Sequence, residues 1–323
     1  MDEIPLKPID KKLLSYLYHN SREPATKIAK TLNISREQVS YRIKKFETQG
    51  IIKGYIPLVN YSRLGYHVIS LILFKFAKQS YIKKFIRALE ENKNITHTIE
   101  LLTKYDIGTF FVFKDEKQRN DCLSEILQKN NKEIFEFKFI EPYFIEFYPL
   151  KFLGTSQVQP QIFHEYKSKE YKLDKKEKAI LSVLNKNANE SLINIAKKTN
   201  LSAELILHKM KKLKKERILI TTRAYFDMEK IGYFYSILLI NLHNFSAHNQ
   251  DKLRKFARDS GYVDSFMMML GKSNCYMQVV HKNMQELHKM LNNLKEEFKD
   301  ESILVEIIPL KNKEMEINTL PFL

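Results

Sequence analysis

The sequence predicts an α+β fold built from two tandem copies of one unit, a three-helix head followed by a β-α-β-β-α-β domain. Three observations carry this. The stretch from Asn20 to Tyr55 returns from Asn187 at an offset of 167 residues: Leu14 maps onto Leu181, Ile28-Ala29-Lys30 onto Ile195-Ala196-Lys197, Ser35 onto Ser202, and Gly65-Tyr66 onto Gly232-Tyr233. A period this long marks a duplicated domain, since solenoid repeats are much shorter. Within each copy, apolar residues recur first at helical spacing and then at strand spacing. The expected division is a head over 1–60, a sheet domain over 61–150, a linker over 151–172, a second head over 173–227 and a second sheet domain over 228–323.

In the first head, Ile9, Leu13, Leu14 and Leu17 form one helical stripe. Pro24 suits the first turn of a second helix, where its missing N–H has no partner to lose. Ile28, Ala29 and Leu32 form that helix's buried face, and Asn33-Ile34 is a tight turn. Ser35 followed by Gln38 is a capping box that starts a third helix. Val39, Ile43 and Phe46 point inward, and Gly50 ends the helix. Ile51 to Tyr55 reads as a short strand and turn, a wing. This is a winged helix-turn-helix, whose third helix enters the major groove of DNA.

The outer face of that helix offers Ser35, Arg36, Gln38, Ser40, Tyr41, Arg42, Lys44 and Lys45, with Lys53 on the wing. Arg and Lys neutralise phosphates or grip guanine, Gln pairs with adenine, and Tyr reaches the backbone. In the second copy the corresponding face offers His208, Lys209, Lys211 and Lys212, while Leu205 and Leu207 stand where polar base-reading groups belong. The second head is therefore expected to clamp phosphates and the first to discriminate bases.

After each head come strands and helices in split-βαβ, ferredoxin-like order. In the first copy these are strands at 68–76, 95–102, 107–113 and 135–139, with helices around Tyr81–Leu89 and Leu123–Leu127. In the second they are strands near 234–242, 263–270, 275–280 and 303–309, with helices near 251–258 and 284–298.

Composition narrows the partners. Lys plus Arg number 54 against 38 Asp plus Glu, a formal charge of +16 that favours a polyanion. Cys122 and Cys275 have no metal-ligand spacing. Apolar runs such as 68–74 are too short to span a bilayer, and the first ten residues lack a signal-peptide core. No P-loop, no GxGxxG after a strand and no HExxH occurs. The expectation is a cytoplasmic protein that binds double-stranded DNA, with no catalytic residues, no metal, no cofactor and no membrane association.

The set Ile28-Ala29, Ser35, Val39, Arg42-Ile43, Glu47, Gly50-Ile51-Ile52-Lys53-Gly54-Tyr55 and Leu64-Gly65-Tyr66 resembles the Lrp/AsnC, or feast/famine, family of transcription regulators, over nearly the whole chain. That resemblance implies a transcription regulator with ferredoxin-like effector domains packed sheet to sheet as an internal pseudo-dimer. It also implies an amino-acid effector and room for further homo-oligomerisation. The family's Thr-Gly-x-Tyr-Asp loop maps to Thr103, Tyr105 and Asp106 in one copy and to Gly271 and Asn274 in the other. An alternative resemblance is to siroheme decarboxylases of the same architecture, for which His97 on the second sheet-domain strand is the match; the neighbouring arginine of that pattern is missing.

Overall fold

A computed structural model describes residues 3–89, 91–154, 160–165, 169–311 and 317–323. The first head comprises α1 (Pro8–Asn20), α2 (Ala25–Leu32) and α3 (Arg36–Thr48), and leads into β1 (Ile52–Val59). Pro24 precedes α2 as its cap. Then come β2 (Val68–Phe76), α4 (Gln79–Leu89), β3 (Ile95–Leu101), β4 (Ile107–Phe113), α5 (Glu116–Lys129) and β5 (Ile134–Ile140), with β6 (Pro142–Phe147) and β7 (Gln161–Glu165) beyond. The second copy follows as α6 (Lys175–Lys186), α7 (Leu192–Thr199), α8 (Ala203–Lys215), β8 (Leu219–Phe226), β9 (Phe234–Leu242), α9 (Ala247–Asp259), β10 (Val263–Met269), β11 (Cys275–His281), α10 (Met284–Glu297) and β12 (Ile303–Lys311). Helix α9 starts four residues earlier than expected because Ser246 caps it, accepting the Asn249 N–H.

Each sheet domain has the ferredoxin-like strand order, β5-β2-β4-β3 and β12-β9-β11-β10. The alternating residues of each sheet face opposite ways. Ile72, Phe74 and Phe76 pack with Phe85 and Leu123 of the helices α4 and α5. Leu238, Ile240 and Leu242 pack in the same way with Leu253 and Met290. The opposite faces, with Ile69, Leu71 and Leu73 from one copy and Ile237, Leu239 and Met267 from the other, share one buried core. The sheets thus cover each other and the helices lie outside.

The copies also exchange strands. Beyond Glu141 the chain leaves its own sheet, and β6 pairs with β10 of the second copy. Conversely, Leu310 and Lys311 at the end of β12 pair with Leu101 and Glu100 of β3. The exchange begins at Pro142 and Pro309, which share the 167-residue offset. The segment 151–172, expected to be a patternless linker, contributes β7, which extends the sheet by pairing with β6; residues 155–159 and 166–168 of it lie outside the described residues.

Candidate nucleic-acid interface

The third helix of each head is held by the same devices. Ser35 Oγ accepts the Gln38 N–H at 3.1 Å, and Gln38 Oε1 accepts the Ser35 N–H at 3.3 Å. Ser202 Oγ accepts the Leu205 N–H at 3.3 Å, with no reciprocal bond because Leu205 replaces the glutamine. Each such cap is worth about 1 kcal/mol. The C-terminus of α3 closes over Gly50 at φ 64°, with Ile51 N–H donating to the Phe46 carbonyl at 2.8 Å. In α8 the same closure uses Arg217 at φ 53°, with Ile218 N–H on the Leu213 carbonyl at 2.9 Å. The left-handed cap persists after its glycine is lost.

Two of the residues expected to touch DNA are turned inward. Arg42 pairs with Asp10 of α1, whose side chain is 8% exposed. Lys209, at the matching position, pairs with Asp174 and, at 3.3 Å, with Glu177, the counterpart of Asp10. A buried carboxylate requires a cation or several donors, and here the recognition helix supplies the cation in both heads. Burial raises the Glu177 pKa, but the Asp174 N–H, the Tyr171 hydroxyl and Lys209 outweigh it and hold the group below its usual value. These pairs fix α3 to α1 and α8 to α6. The signal was legible in principle: an acid in the first helix and a cation in the third recur together at the 167-residue offset.

The other predicted residues lie outward. Ser35, Arg36, Gln38, Ser40, Tyr41, Lys44, Lys45 and Lys53 are exposed, Tyr41 at 69%. His208, Lys211 and Lys212 are exposed as well. Lys212 also leans on Glu177 at 3.5 Å and over the Tyr171 ring. Gln38 spends its carbonyl oxygen on the cap, which leaves its amide N–H groups to reach a base.

The expected wing takes a different form. Residues 52–59 make no hairpin of their own; β1 pairs antiparallel with β8, the equivalent strand of the other copy. The ribbon is anchored by bonds that come in matched pairs. Ser21 N–H donates to the Thr222 carbonyl at 3.1 Å and Ala188 N–H to the Tyr55 carbonyl at 2.9 Å. Asn60 N–H donates to the Ile218 carbonyl at 3.0 Å and Asp227 N–H to the Ile51 carbonyl at 2.9 Å. Arg22, which sequence reasoning passed over, adds a crosslink to the carbonyls of Ala188 at 2.8 Å and Glu190 at 2.5 Å. Each head therefore hangs on the other copy's strand. The antiparallel pairing puts the C-termini of α3 and α8 at opposite ends of an eight-residue ribbon, roughly 27 Å apart at about 3.4 Å per residue.

The effector-loop residues are largely occupied by the fold. Tyr105 is buried in the inter-sheet core, and its hydroxyl donates to Glu136 at 3.2 Å. Asp106 accepts the Phe76 N–H at 2.8 Å and Lys75 at 2.9 Å. Asn274 does the same job in the second copy, bridging the N–H and carbonyl of Leu242 at 3.0 and 2.7 Å. Thr103 is exposed, and Gly271, at φ 123°, has open space about it. Two further histidines have polar neighbours: His67 Nε2 lies 2.9 Å from Glu170, and His164 Nδ1 lies 2.7 Å from Ser62 Oγ. Among the described residues no cluster of three His, Cys, Asp or Glu could hold a metal, and no helix is long and apolar enough to cross a membrane.

Comparison with known proteins agrees with this geometry. A winged helix-turn-helix DNA-binding family model matches residues 6–53 and again 173–220. An HTH-type transcriptional regulator of Pyrococcus furiosus is 31% identical over 125 residues, covering 39% of this chain and 84% of that protein. The HTH-type transcriptional regulator Ptr1 of Methanocaldococcus jannaschii is 30% identical over 120 residues, 37% of this chain and 80% of that protein. The regulator LrpA of Pyrococcus horikoshii is 36% identical over 88 residues, 25% of this chain and 62% of that protein. Among solved structures, the siroheme decarboxylase NirDL matches 98% of this chain and 96% of its own at a TM-score of 0.61 and 15% identity, which is a likeness of fold. With its DNA-binding head matched twice at one spacing and its relatives regulators, the chain belongs to the Lrp/AsnC family of HTH-type transcriptional regulators.

Proposed function

We propose that this regulator binds one double-stranded operator with both heads of a single chain, as a fused pseudo-dimer, and that the first head carries most of the base discrimination. The observation behind this is the ribbon. It sets the recognition helices roughly 27 Å apart at their C-termini, the same order as the roughly 34–36 Å between successive major-groove faces. The exposed side chains divide the labour. Arg36, Ser40 and Tyr41 in α3 become Ala203, Leu207 and His208 in α8, and Glu47 becomes Lys214. The second helix gains charge and loses hydrogen-bonding side chains, which suits phosphate contacts that add affinity without sequence information. Selection of bound sequences from a random DNA pool tests this. The expected product is two unequal half-sites, about one helical turn apart centre to centre, with strong base preference in one. A single half-site, or two equal ones, refutes the reading.

A second reading, a siroheme decarboxylase-like enzyme, has the whole-chain likeness of fold and His97 in its favour. His97 stacks on Phe110 at 4.2 Å beside an open groove whose lining cations are Lys53 and Lys186. The cavity on its other side is about 150 Å³, a volume that suits a benzene-sized guest and not a tetrapyrrole macrocycle. Titration of the protein with siroheme separates the readings: a changed visible spectrum supports the enzyme, an unchanged one removes it.

A further inference from the structure

The pseudo-two-fold axis passes through the ribbon at one residue pair. Ile56 faces Arg223, and these two positions are equivalent under the 167-residue offset. In a symmetric dimer the same residue would face itself there, and two arginines would repel. The duplicated chain has one arginine and one isoleucine.

Arg223 is 6% exposed, and its Nε and Nη2 have no hydrogen-bond partner among the described residues. The guanidinium lies between two rings, 4.0 Å from the centre of Tyr18 and 4.6 Å from that of Phe147. Ring faces stabilise the charge but do not satisfy its in-plane N–H donors, and a buried charged donor left unsatisfied is costly. These donors line the cavity of about 150 Å³, whose walls come from the ribbon on one side and both sheets on the other. Its surfaces are mostly apolar, including Phe110, Phe163 and Met267. The strongly polar side chains are Arg223, His97, Asp264 and Gln278, joined by the hydroxyls of Thr96, Ser265 and Thr319. Asp264 Oδ2 lies 3.5 Å from both the Tyr18 hydroxyl and Gln278 Nε2. Ile56, Thr96, His97 and Tyr225 also line the open groove of about 850 Å³, which provides a way in.

We propose that this axial cavity binds a small organic monocarboxylate with an apolar body, its carboxylate accepting from Nε and Nη2 of Arg223, and that occupancy alters the affinity of the heads for DNA. A planar carboxylate matches two parallel N–H donors, and the rings supply the apolar enclosure usual for ligand sites. Because β1 and β8 form one wall, a ligand that fits one ribbon position better than another shifts the heads with it. This control rests on the DNA-binding reading; the binding site itself does not.

The test uses the full chain with benzoate and 4-methylpentanoate, each against its neutral amide, by calorimetry and thermal shift. At least one carboxylate should bind saturably below millimolar concentration and at least tenfold more tightly than its amide. Arg223→Met should remove that preference. Should this variant fail to fold, Ile56→Phe, at a half-buried wall position, should block binding while preserving the fold. No saturable binding of either acid, or equal binding of acid and amide, overturns the site. In parallel, DNA affinity is measured by fluorescence anisotropy with and without the acid. A change under twofold, with the acid bound, overturns the control and leaves the site standing. Failure to bind any DNA sinks the regulator reading instead.

Discussion

The ribbon that spaces the heads is held by unequal pairs, and exchanging one of them tests the register directly. Gly54 faces Tyr225, and Leu58 faces Thr221. Gly54 corresponds to Thr221 and Leu58 to Tyr225, so the two pairs are two versions of one contact. A Cβ on Gly54 would stand 2.7 Å from Tyr225 Cε1 and 2.9 Å from its hydroxyl oxygen. The tip of a ring packed in a strand has little freedom to move aside, so Gly54→Thr should destabilise by about 1–3 kcal/mol. Tyr225→Leu alone removes the ring that fills the glycine's gap and should also cost about 1–3 kcal/mol. The double variant rebuilds the Thr-opposite-Leu pair already present at Leu58 and Thr221, across the axis. It should recover most of the loss, a coupling of about 2 kcal/mol. With an unfolding entropy of about 2.1 cal/mol/K per residue, 2 kcal/mol corresponds to roughly 3 °C in Tm for a chain of this length. Urea and thermal unfolding of wild type, both single variants and the double close the cycle. Additivity within about 0.5 kcal/mol would show that these residues do not meet across the ribbon, and the spacing argument would fall with the register.

Other consequences are as direct. Glu177→Gln should cost about 2 kcal/mol, because charge-assisted bonds to Lys209 and the Asp174 N–H weaken; a urea midpoint shift checks it, and no change would place the acid outside the fold's support. Arg42→Gln should lower stability without changing which bases are selected, whereas Arg36→Ala with Tyr41→Ala should relax selection with stability intact; selected-sequence profiles and Tm for each variant decide it. Affinity for operator DNA should fall by about 10³ to 10⁵ between 50 and 200 mM salt if six to ten phosphates are neutralised, and a flat response would remove DNA as the partner. Stability should decline in mild acid. Burial pushes the pKa of His19 down to about 3 and those of His97 and His164 to about 4. The native state keeps them neutral while the unfolded chain protonates near pH 6.5. Their contribution is therefore full above that pH and is lost as pH falls toward 4, at up to about 1.4 kcal/mol per pH unit for each; urea unfolding at pH 7 and pH 5 measures it.

Much of this architecture is legible in the sequence because periodicity reports which face of an element is buried. The strand order follows, since the ferredoxin-like arrangement is fixed once its elements are recognised. What periodicity does not report is pairing between copies. Residues 51–55 carry the same local signal whether they fold back as a wing or run on to meet β8. The partner is 167 positions away and local chemistry is silent about it. The same limit explains Arg42 and Lys209. Helical spacing places them on the outer half of their helices, but long side chains reach around the surface to the nearest buried acid. Gly54 lies in the stretch expected to hold a turn, whereas its role is to leave room for the Tyr225 ring. The function of β7 lay in a stretch whose strand character only the exposed edge of β6 brings out.

Fusion changes what the family's fold is able to encode. In a dimer of identical chains, every contact on the axis is a residue against its own copy, so a charge there must face a like charge and a large side chain must face another. A single chain removes that constraint at each axial pair. The departure on the axis is Arg223 against Ile56, and near it Gly54 faces Tyr225 where the related pair is Leu58 facing Thr221. Away from the axis the devices stay paired, as in the two left-handed helix caps, the two inward ion pairs and the four reciprocal ribbon bonds. Those bonds are intramolecular, so the spacing of the heads does not depend on protein concentration, as it would for separate subunits. Symmetry is retained in the parts that fix the heads and lost in the parts that could recognise something between them. That distribution is what a binding site gained after duplication would leave, and it is why the axial cavity, more than the loops at 102–106 and 270–274, is where control of this protein should be sought.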